Sequence, residues 1–385
     1  MPPRGETMNA SVKFPPSQID RVKNDSQKIE TFIQLFRDFP AKELIGNLTT
    51  QTDILTVAGQ SFPLTLNAAS DAPTCYICCP SSAYIEYAID ETRNFLSSPA
   101  LRSAVLALIK GCAPLVCASG LDHQVQVNNW LYSTNPVPLI DRNTAIAIRD
   151  ALISQHPDRA FVIRSLNEIA DPVSIEALKA GGFRMLASRQ IYIAAALTQQ
   201  KMSKNMKADR SRLRRSPYRL VANHEFTEED YVRCQELYDM LYLEKYTPLN
   251  PHYTALYIRE MHLRGILRLI GLRDSECKLV GVTGLFENGA TLTQPIVGYD
   301  TTLPMQKGLY RMVMAIAQDY ASERALFFNM SAGAADFKRR RGAVPTIEYS
   351  AVYVAHLPMV QRLTVRLMET VLRFVGIPLL RRFKL

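Results

Sequence analysis

At 385 residues, 47% hydrophobic and 21% charged, the chain is too apolar for disorder and longer than one core usually organises, so two α/β domains are expected. No stretch approaches the roughly 18–20 uninterrupted apolar residues of a bilayer-crossing helix, and Met1-Pro2-Pro3-Arg4 begins no secretory signal; a cytoplasmic protein is the expectation. The formal net charge of +9 gathers in two blocks. One is Lys201, Lys204, Lys207, Arg210, Arg212, Arg214, Arg215 and Arg219, relieved by Asp209 alone; the other joins Lys338–Arg341 with Arg381, Arg382 and Lys384. Such charge attracts coenzyme A, nucleic acid or anionic lipid without choosing among them.

Residues 1–25 are polar, hold two Pro-Pro pairs, and read as a flexible arm. Ile29, Phe32, Ile33, Leu35 and Phe36 then repeat with helical rhythm. Ile54–Val57 and Thr74–Ile77 read as short strands, Ser82–Leu96 and Leu101–Ile109 as helices, and Leu115–Ala118 as a strand. Cys75, Cys78 and Cys79, near Cys112, have the spacing of soft metal ligands. No histidine follows at finger spacing, so these cysteines, with Cys117, Cys234 and Cys277, are taken as structural and no metal is expected. Thr144–Gln155 reads as a helix, Ala160–Leu166 as a strand, and Ser174–Ala180 as a helix ending at Gly181-Gly182. Phe183–Ile193 reads as a pair of short strands. The charged tract 200–219 lacks a core-sized apolar face and reads as a basic linker helix between domains 26–199 and 220–356.

In the second half, Thr227 precedes Glu228-Glu229-Asp230, a helix start matched to the helix dipole. Pro251–Leu263 continues as a helix, and Leu267–Leu272 and Lys278–Phe286 as strands. Asn288-Gly289 marks a hairpin before strand Thr291–Tyr299, in which Pro295 signals an irregularity. Leu309, Met312, Val313, Ile316 and Tyr320 define a helix face; Leu326–Met330 and Ile347–Val354 are the last strands. Residues 357–385 form an amphipathic basic helix, with Val360, Leu363, Leu367, Val371 and Phe374 on one face. That face suits either the chain's own core or, as a peripheral contact, anionic lipid.

Helix, helix, three strands with an Asn-Gly hairpin, helix, strand, helix, strand: this order resembles the GNAT N-acyltransferase superfamily. Ile175–Tyr192, where a short helix stops at Gly182-Phe183 before a strand, is similar to the end of a GNAT domain. Asn329–Ala343, with Gly333, Lys338 five residues on, and Gly342-Ala343, resembles the late segment of Fem-type (peptidoglycan-bridge-transferase-related) proteins, which pair two GNAT-like domains. The basic stretch from Met202 resembles the helix entering their second domain. The resemblance covers roughly residues 160–355 and implies two mixed-sheet GNAT-like domains, the first degenerate and the second catalytic. Where the GNAT pyrophosphate loop belongs, Gly308 fits, but Met305 replaces the usual Arg or Gln, Tyr310 replaces a small residue, and Pro304 removes an amide. Lys307 and Arg311 offer charge in compensation.

The resemblance further implies direct attack of an amine on an activated carboxyl group, with the splayed strand Pro295–Tyr299 polarising the carbonyl. Asp300, after Tyr299, is a base or amine anchor, or simply the cap of the next helix. Lys338 holds a phosphate or carboxylate, or is a solvated member of its run. Ser331 and Asn329 lie at a strand end where open α/β sheets put ligands, although a turn role suits Ser331 equally. Tyr310 or Tyr320 is a leaving-group acid or a core residue. No permanently bound cofactor is expected; the resemblance implies acyl-CoA or another acyl thioester, such as an acylated carrier protein, as cosubstrate and a small-molecule amine as acceptor. The alternatives are a Fem-like aminoacyl-tRNA donor, weakened by the scarcity of aromatics near the basic tract, and a non-catalytic binding protein of the same fold.

Overall fold

The computed structural model describes residues 18–95, 98–195 and 202–383; the expected arm lies outside them up to residue 17. The first half runs α1 (Gln18–Asp38), α2 (Ala41–Leu44), β1 (Gln51–Val57), β2 (Gln60–Asn67), a π-helical segment (Ser82–Tyr87) leading into α3 (Ala88–Phe95), α4 (Pro99–Ala118), β3 (Gln124–Val127), α5 (Arg142–Gln155), β4 (Ala160–Asn167), α6 (Pro172–Ala180) and β5 (Arg184–Ala194). The second runs α7 (Lys204–Arg215), β6 (Arg219–Val221), α8 (Glu228–Asp239), a π-helical segment (Met240–Glu244), α9 (Ala255–Leu263), β7 (Arg268–Arg273), β8 (Leu279–Asn288), β9 (Thr291–Tyr299), α10 (Leu309–Glu323), β10 (Phe327–Asn329), α11 (Ala335–Arg339) and β11 (Val344–Tyr353). The chain ends in α12 (Met359–Val371), a π-helical turn (Leu372–Gly376) and α13 (Ile377–Phe383).

Among the described residues, eleven strands join one sheet, in the order β1-β2-β3-β4-β11-β5-β10-β9-β8-β7-β6. Each half follows the same plan: antiparallel strands, a crossover helix, one parallel strand (β4 on β3, β10 on β9), a short helix and a last strand. The two last strands are exchanged. β11 enters between β4 and β5, and β5 between β11 and β10, so each half is completed by the other's final strand. Both are paired on two sides, which explains their apolar runs around Leu186, Ile191, Ile193, Ile347 and Val352.

Helices cover both faces. α5 and α6 bury Ile148, Leu152 and Leu178 against Phe161, Ile163 and Ala351 on one face of the first half. On the opposite face, Val116, Val365 and Met368 of α4 and α12 pack on Val162, Leu186 and Val352. α1 reaches across the halves: Phe32 meets Trp130 at 5.2 Å, and Trp130 meets Phe286 at 4.9 Å.

Several local expectations need correction. Thr74–Ile77 is a buried turn, its Cys75 amide donating to Asn47 O at 2.9 Å; a short apolar run does not distinguish strand from packed loop. Leu115–Ala118 is the last turn of α4, which continues through Gly111 and Pro114. Phe183–Ile193 forms a single strand. The hairpin turn is Gly289-Ala290, since Asn288 pairs with Thr291. Contrary to expectation, one helix among the described residues, Pro99–Ala118, is long and apolar enough to cross a membrane, and only 6% of its most apolar window is buried. The apolar face expected on α12 turns outward: Val360, Leu363, Leu367 and Phe374 are exposed, while Thr364, Val365 and Met368 face the core.

Candidate active site

β9 and β10 are paired over only three residues each, ending at Thr293 and Asn329. β9 continues to Tyr299 on β8 alone, while the chain leaves β10 and turns to β5, where the Met330 amide donates to Tyr192 O and the Tyr192 amide to Ser331 O. The sheet therefore splays between β9 and β5. Pro295 sits at the splay without an N–H to donate, and the register with β8 shifts opposite it, between Gly284 and Phe286. Beside β9, the π-helical segment after α8 carries Tyr242, and Tyr299 lies 5.9 Å from Tyr310. Tyr310 is half-buried as a residue, and desolvation of its hydroxyl together with Tyr242, Tyr246 and Tyr299 pushes the phenol pKa far up, so it stays protonated.

In the loop from β10 to α11, two non-glycine residues, Ser331 and Ala334, adopt positive φ (58° and 48°), as does Gly333 at 74°. This curl aims two carbonyls at one amine. Lys338 Nζ donates to Ala332 O at 2.6 Å and Ser331 O at 3.2 Å, and lies 5.7 Å from the centre of the Tyr192 ring. The side chain is buried, and the described residues offer it no carboxylate within ion-pair distance. Burial lowers its pKa to about 7, and the charge of Arg189 acts in the same direction. A neutral amine has two N–H groups, which match the two carbonyls and leave its lone pair unused. Lys338 is thus buried, and of the two readings of its run the solvated one does not hold.

The other expected site residues separate. Asn329 Oδ1 accepts the Ser331 amide at 2.9 Å, and Ser331 Oγ accepts from Thr134 Oγ1 at 3.2 Å, placing both beside Lys338. Asp300 belongs to another network: its carboxylate accepts from Arg233 at 2.7 Å and from the amide and hydroxyl of Thr302 at 3.0 and 2.5 Å. Burial alone would raise its pKa, but Thr302, Arg233 and Lys278 outweigh burial and hold the carboxyl below its usual range. This is the geometry of a turn cap and ion pair, and a poor one for a base. Tyr299 accepts a long hydrogen bond from Lys245 at 3.4 Å.

At the start of α10, Gly308 has φ 71° and brings no side chain to cap the helix. Lys307 is exposed beside it. Arg212 of α7 lies over Gly308 and donates to Gln306 O at 2.8 Å; a Cβ on Gly308 would stand 2.7 Å from its Cδ. Arg311 instead reaches Asp209 at 2.5 Å, which Arg341 also grips at 2.5 Å. α7 is therefore a docked helix, packed on α10 through buried Met206 and Asp209, and not a solvated linker.

No protein-family model matches the sequence, and no curated protein matches it. Among solved structures, FemX superposes over 91% of this chain and 99% of its own, with TM-score 0.52 and 8% identity. The chain has the tandem GNAT-like fold of the Fem type. Similarity also extends to L-PGS from Bacillus licheniformis (16% identity, 59% of this chain and 78% of that one, TM-score 0.43) and to a tandem GNAT protein from the clavulanic acid biosynthesis pathway (12%, 60% and 74%, 0.35).

Within this Fem-type fold the first half ends differently. β3 leaves β4 after Val127, but the loop from Asn128 to Val137 fills the opening. Asn128 Nδ2 donates to Pro136 O, its Oδ1 accepts from Trp130 Nε1, and the Asn135 amide donates to Ser165 Oγ. The start of α5 is capped by the Asp141 carboxylate, which accepts from the Thr144 amide at 2.8 Å. On the α4 side of the sheet lies a cavity of ≈ 120 Å³, lined in part by Tyr76, Tyr84, Glu91, Gln124, Arg189 and Glu348. The Tyr76 hydroxyl and Gln124 Oε1 are buried there without hydrogen-bond partners among the described residues. Burial raises the Glu91 pKa against the opposing pull of Arg189 and Tyr87.

Arg189 connects cavity and gap. It pairs with Glu348 at 2.9 Å and donates to Thr134 Oγ1 at 3.0 Å, and Thr134 in turn donates to Ser331. Sequence reasoning missed Arg189, Glu348 and Thr134. For Arg189 and Glu348 the available signal was a charge in the middle of a mostly apolar strand; Thr134, in the loop after β3, carried none.

Proposed function

We propose that the chain transfers an acyl group onto an amine at the gap between β9 and β5, with Lys338 as general base. The observation that carries this is a buried lysine amine held by two backbone carbonyls just past β10 and by no carboxylate, a setting that lowers its pKa to about 7. In the reaction the amine nitrogen bonds to the carbonyl carbon and the bond from that carbon to the donor's sulfur breaks. Lys338 Nζ takes the proton lost by the amine and passes it to the departing thiolate. Backbone N–H groups on the free edge of β9 stabilise the carbonyl oxygen as it gains charge.

The donor is an acyl thioester, acyl-CoA or an acylated carrier protein, with its phosphates at the uncapped start of α10 beside Lys307 and Arg212. The acceptor amine enters the first-half cavity, where Glu91 and Glu348 favour a cation and Arg189 marks the way to Lys338. One observation favours an aminoacyl-tRNA donor instead: Lys204, Lys207, Arg214 and Arg215 are exposed along α7, next to that helix start. The deciding experiment incubates the protein with acyl-CoA or charged tRNA and an amine mixture, with and without RNase, and follows product by mass spectrometry. RNase-resistant product from acyl-CoA supports the thioester donor, and RNase-sensitive product the tRNA donor. Product from neither, with no thermal protection by either donor, overturns the proposal in favour of a binding protein.

A further inference from the structure

α12 is apolar on two sides. Val365 and Met368 are spent on the core, yet Met359, Val360, Leu363, Leu367 and Phe374 remain 64%, 67%, 57%, 51% and 68% exposed. α4 packs alongside α12 and is itself apolar and almost wholly uncovered. Folding alone gives no reason to leave two adjoining helices with such a surface.

Charge identifies what covers it. Over residues 99–118 and 359–383 the basic residues are Arg102, Lys110, Arg362, Arg366, Arg373, Arg381 and Arg382. The single acid, Glu369, is consumed inward, accepting from Arg184 at 2.6 Å and the Met185 amide at 3.2 Å. Glu168 of the neighbouring loop is engaged with Tyr349 near Arg373 and Arg381, and an apolar strip flanked by cations, whose own helices hold no free carboxylate, complements anionic headgroups over acyl chains. It is a poor interface for a second copy of the chain, because a two-fold contact would set one arginine row against the other.

We infer that the joint face of α4, α12 and α13 docks on the surface of an anionic lipid bilayer, lying in the interface without crossing it. Leu363, Leu367 and Phe374 enter the acyl boundary, and the arginines of α12 and α13 meet phosphate. The inference is independent of the proposed chemistry, although Tyr84, Leu121, Val162, Leu186 and Val352 belong both to the cavity wall and to the cluster beneath these helices. Docking would therefore bring the acceptor cavity to the membrane side of the protein.

The test is flotation of the full chain with phosphatidylglycerol-rich and with pure phosphatidylcholine vesicles, beside analytical ultracentrifugation without lipid. The wild type should float with the anionic vesicles and weaken as salt rises. Arg362→Glu/Arg366→Glu/Arg373→Glu should bind roughly 100-fold more weakly, and Leu363→Asp/Leu367→Asp/Phe374→Asp should not float, both with the wild-type melting profile because all six side chains are exposed. Absence of wild-type flotation, or unchanged flotation of both variants, would overturn the inference. So would a lipid-free dimer that the aspartate variant dissociates.

Discussion

In the first half, β3 and β4 part after Val127 and the asparagine-rich loop 128–137 closes the opening; in the second, β9 runs on past Thr293 with no strand partner on its β10 side among the described residues. The crossover helices differ in the same sense. α5 begins at a carboxylate that occupies its own amides, whereas α10 begins at a glycine that leaves them available. One backbone plan thus yields a sealed half and an open half. What distinguishes them is a few side chains at strand ends and helix starts.

The largest expected effect breaks the open half. Lys338→Met should lower kcat/KM by about 100–10,000-fold, as expected for loss of a general base, and Lys338→Arg should not restore it. Wild-type kcat/KM should rise as pH passes about 7, where Nζ becomes neutral. The linkage sign is definite: the folded pKa lies below the unfolded value of about 10.4, so the folded chain binds this proton less tightly. Its destabilising effect grows as pH falls from above 10 toward 7 and is constant below. Lys338→Met should therefore melt at or above the wild-type temperature at pH 7.

Converting the open half toward the sealed one comes next. Gly308→Asp places a carboxylate where α5 has one and strains a backbone at φ 71°; donor KM should rise by about tenfold or more, in line with the loss of an anion site at a helix start. Glu91→Gln should raise acceptor KM several-fold and leave donor KM alone, which separates cavity from gap. Asp300→Asn should cost about 1–3 kcal/mol by leaving Arg233 poorly paired, seen as a lower Tm with kcat little changed. Smallest is Asp141→Ala, which should lower stability by about 1 kcal/mol through loss of a helix cap, with both KM values unchanged.

The half-by-half order of elements was legible because period and turn signals are local: Gly181-Gly182 ends α6, and the Thr227–Asp230 box starts α8. The strand exchange was not, since nothing in Val344–Tyr353 specifies that it pairs with β4 of the other half. At the site, the irregularity at Pro295 was legible from the proline, while Lys338 stood out only through the resemblance, as a holder of phosphate or carboxylate and not as a buried amine. The fate of Asp300 could not, because its partner Arg233 lies 67 residues away. α4 was not legible as one helix, since Gly111 and Pro114 interrupt its apolar run, though the helix carries both. Its apolar length shows only once the two pieces are joined.

In this account the open half holds a buried amine, Lys338, poised to accept a proton. Titration of the full chain with ¹³C-labelled lysine side chains tests it without knowledge of either substrate. One lysine should titrate near pH 7, and its signal should vanish in Lys338→Met. If every lysine titrates near pH 10 in a folded protein, Lys338 is an ordinary cation and the assignment of the open half as the catalytic one fails.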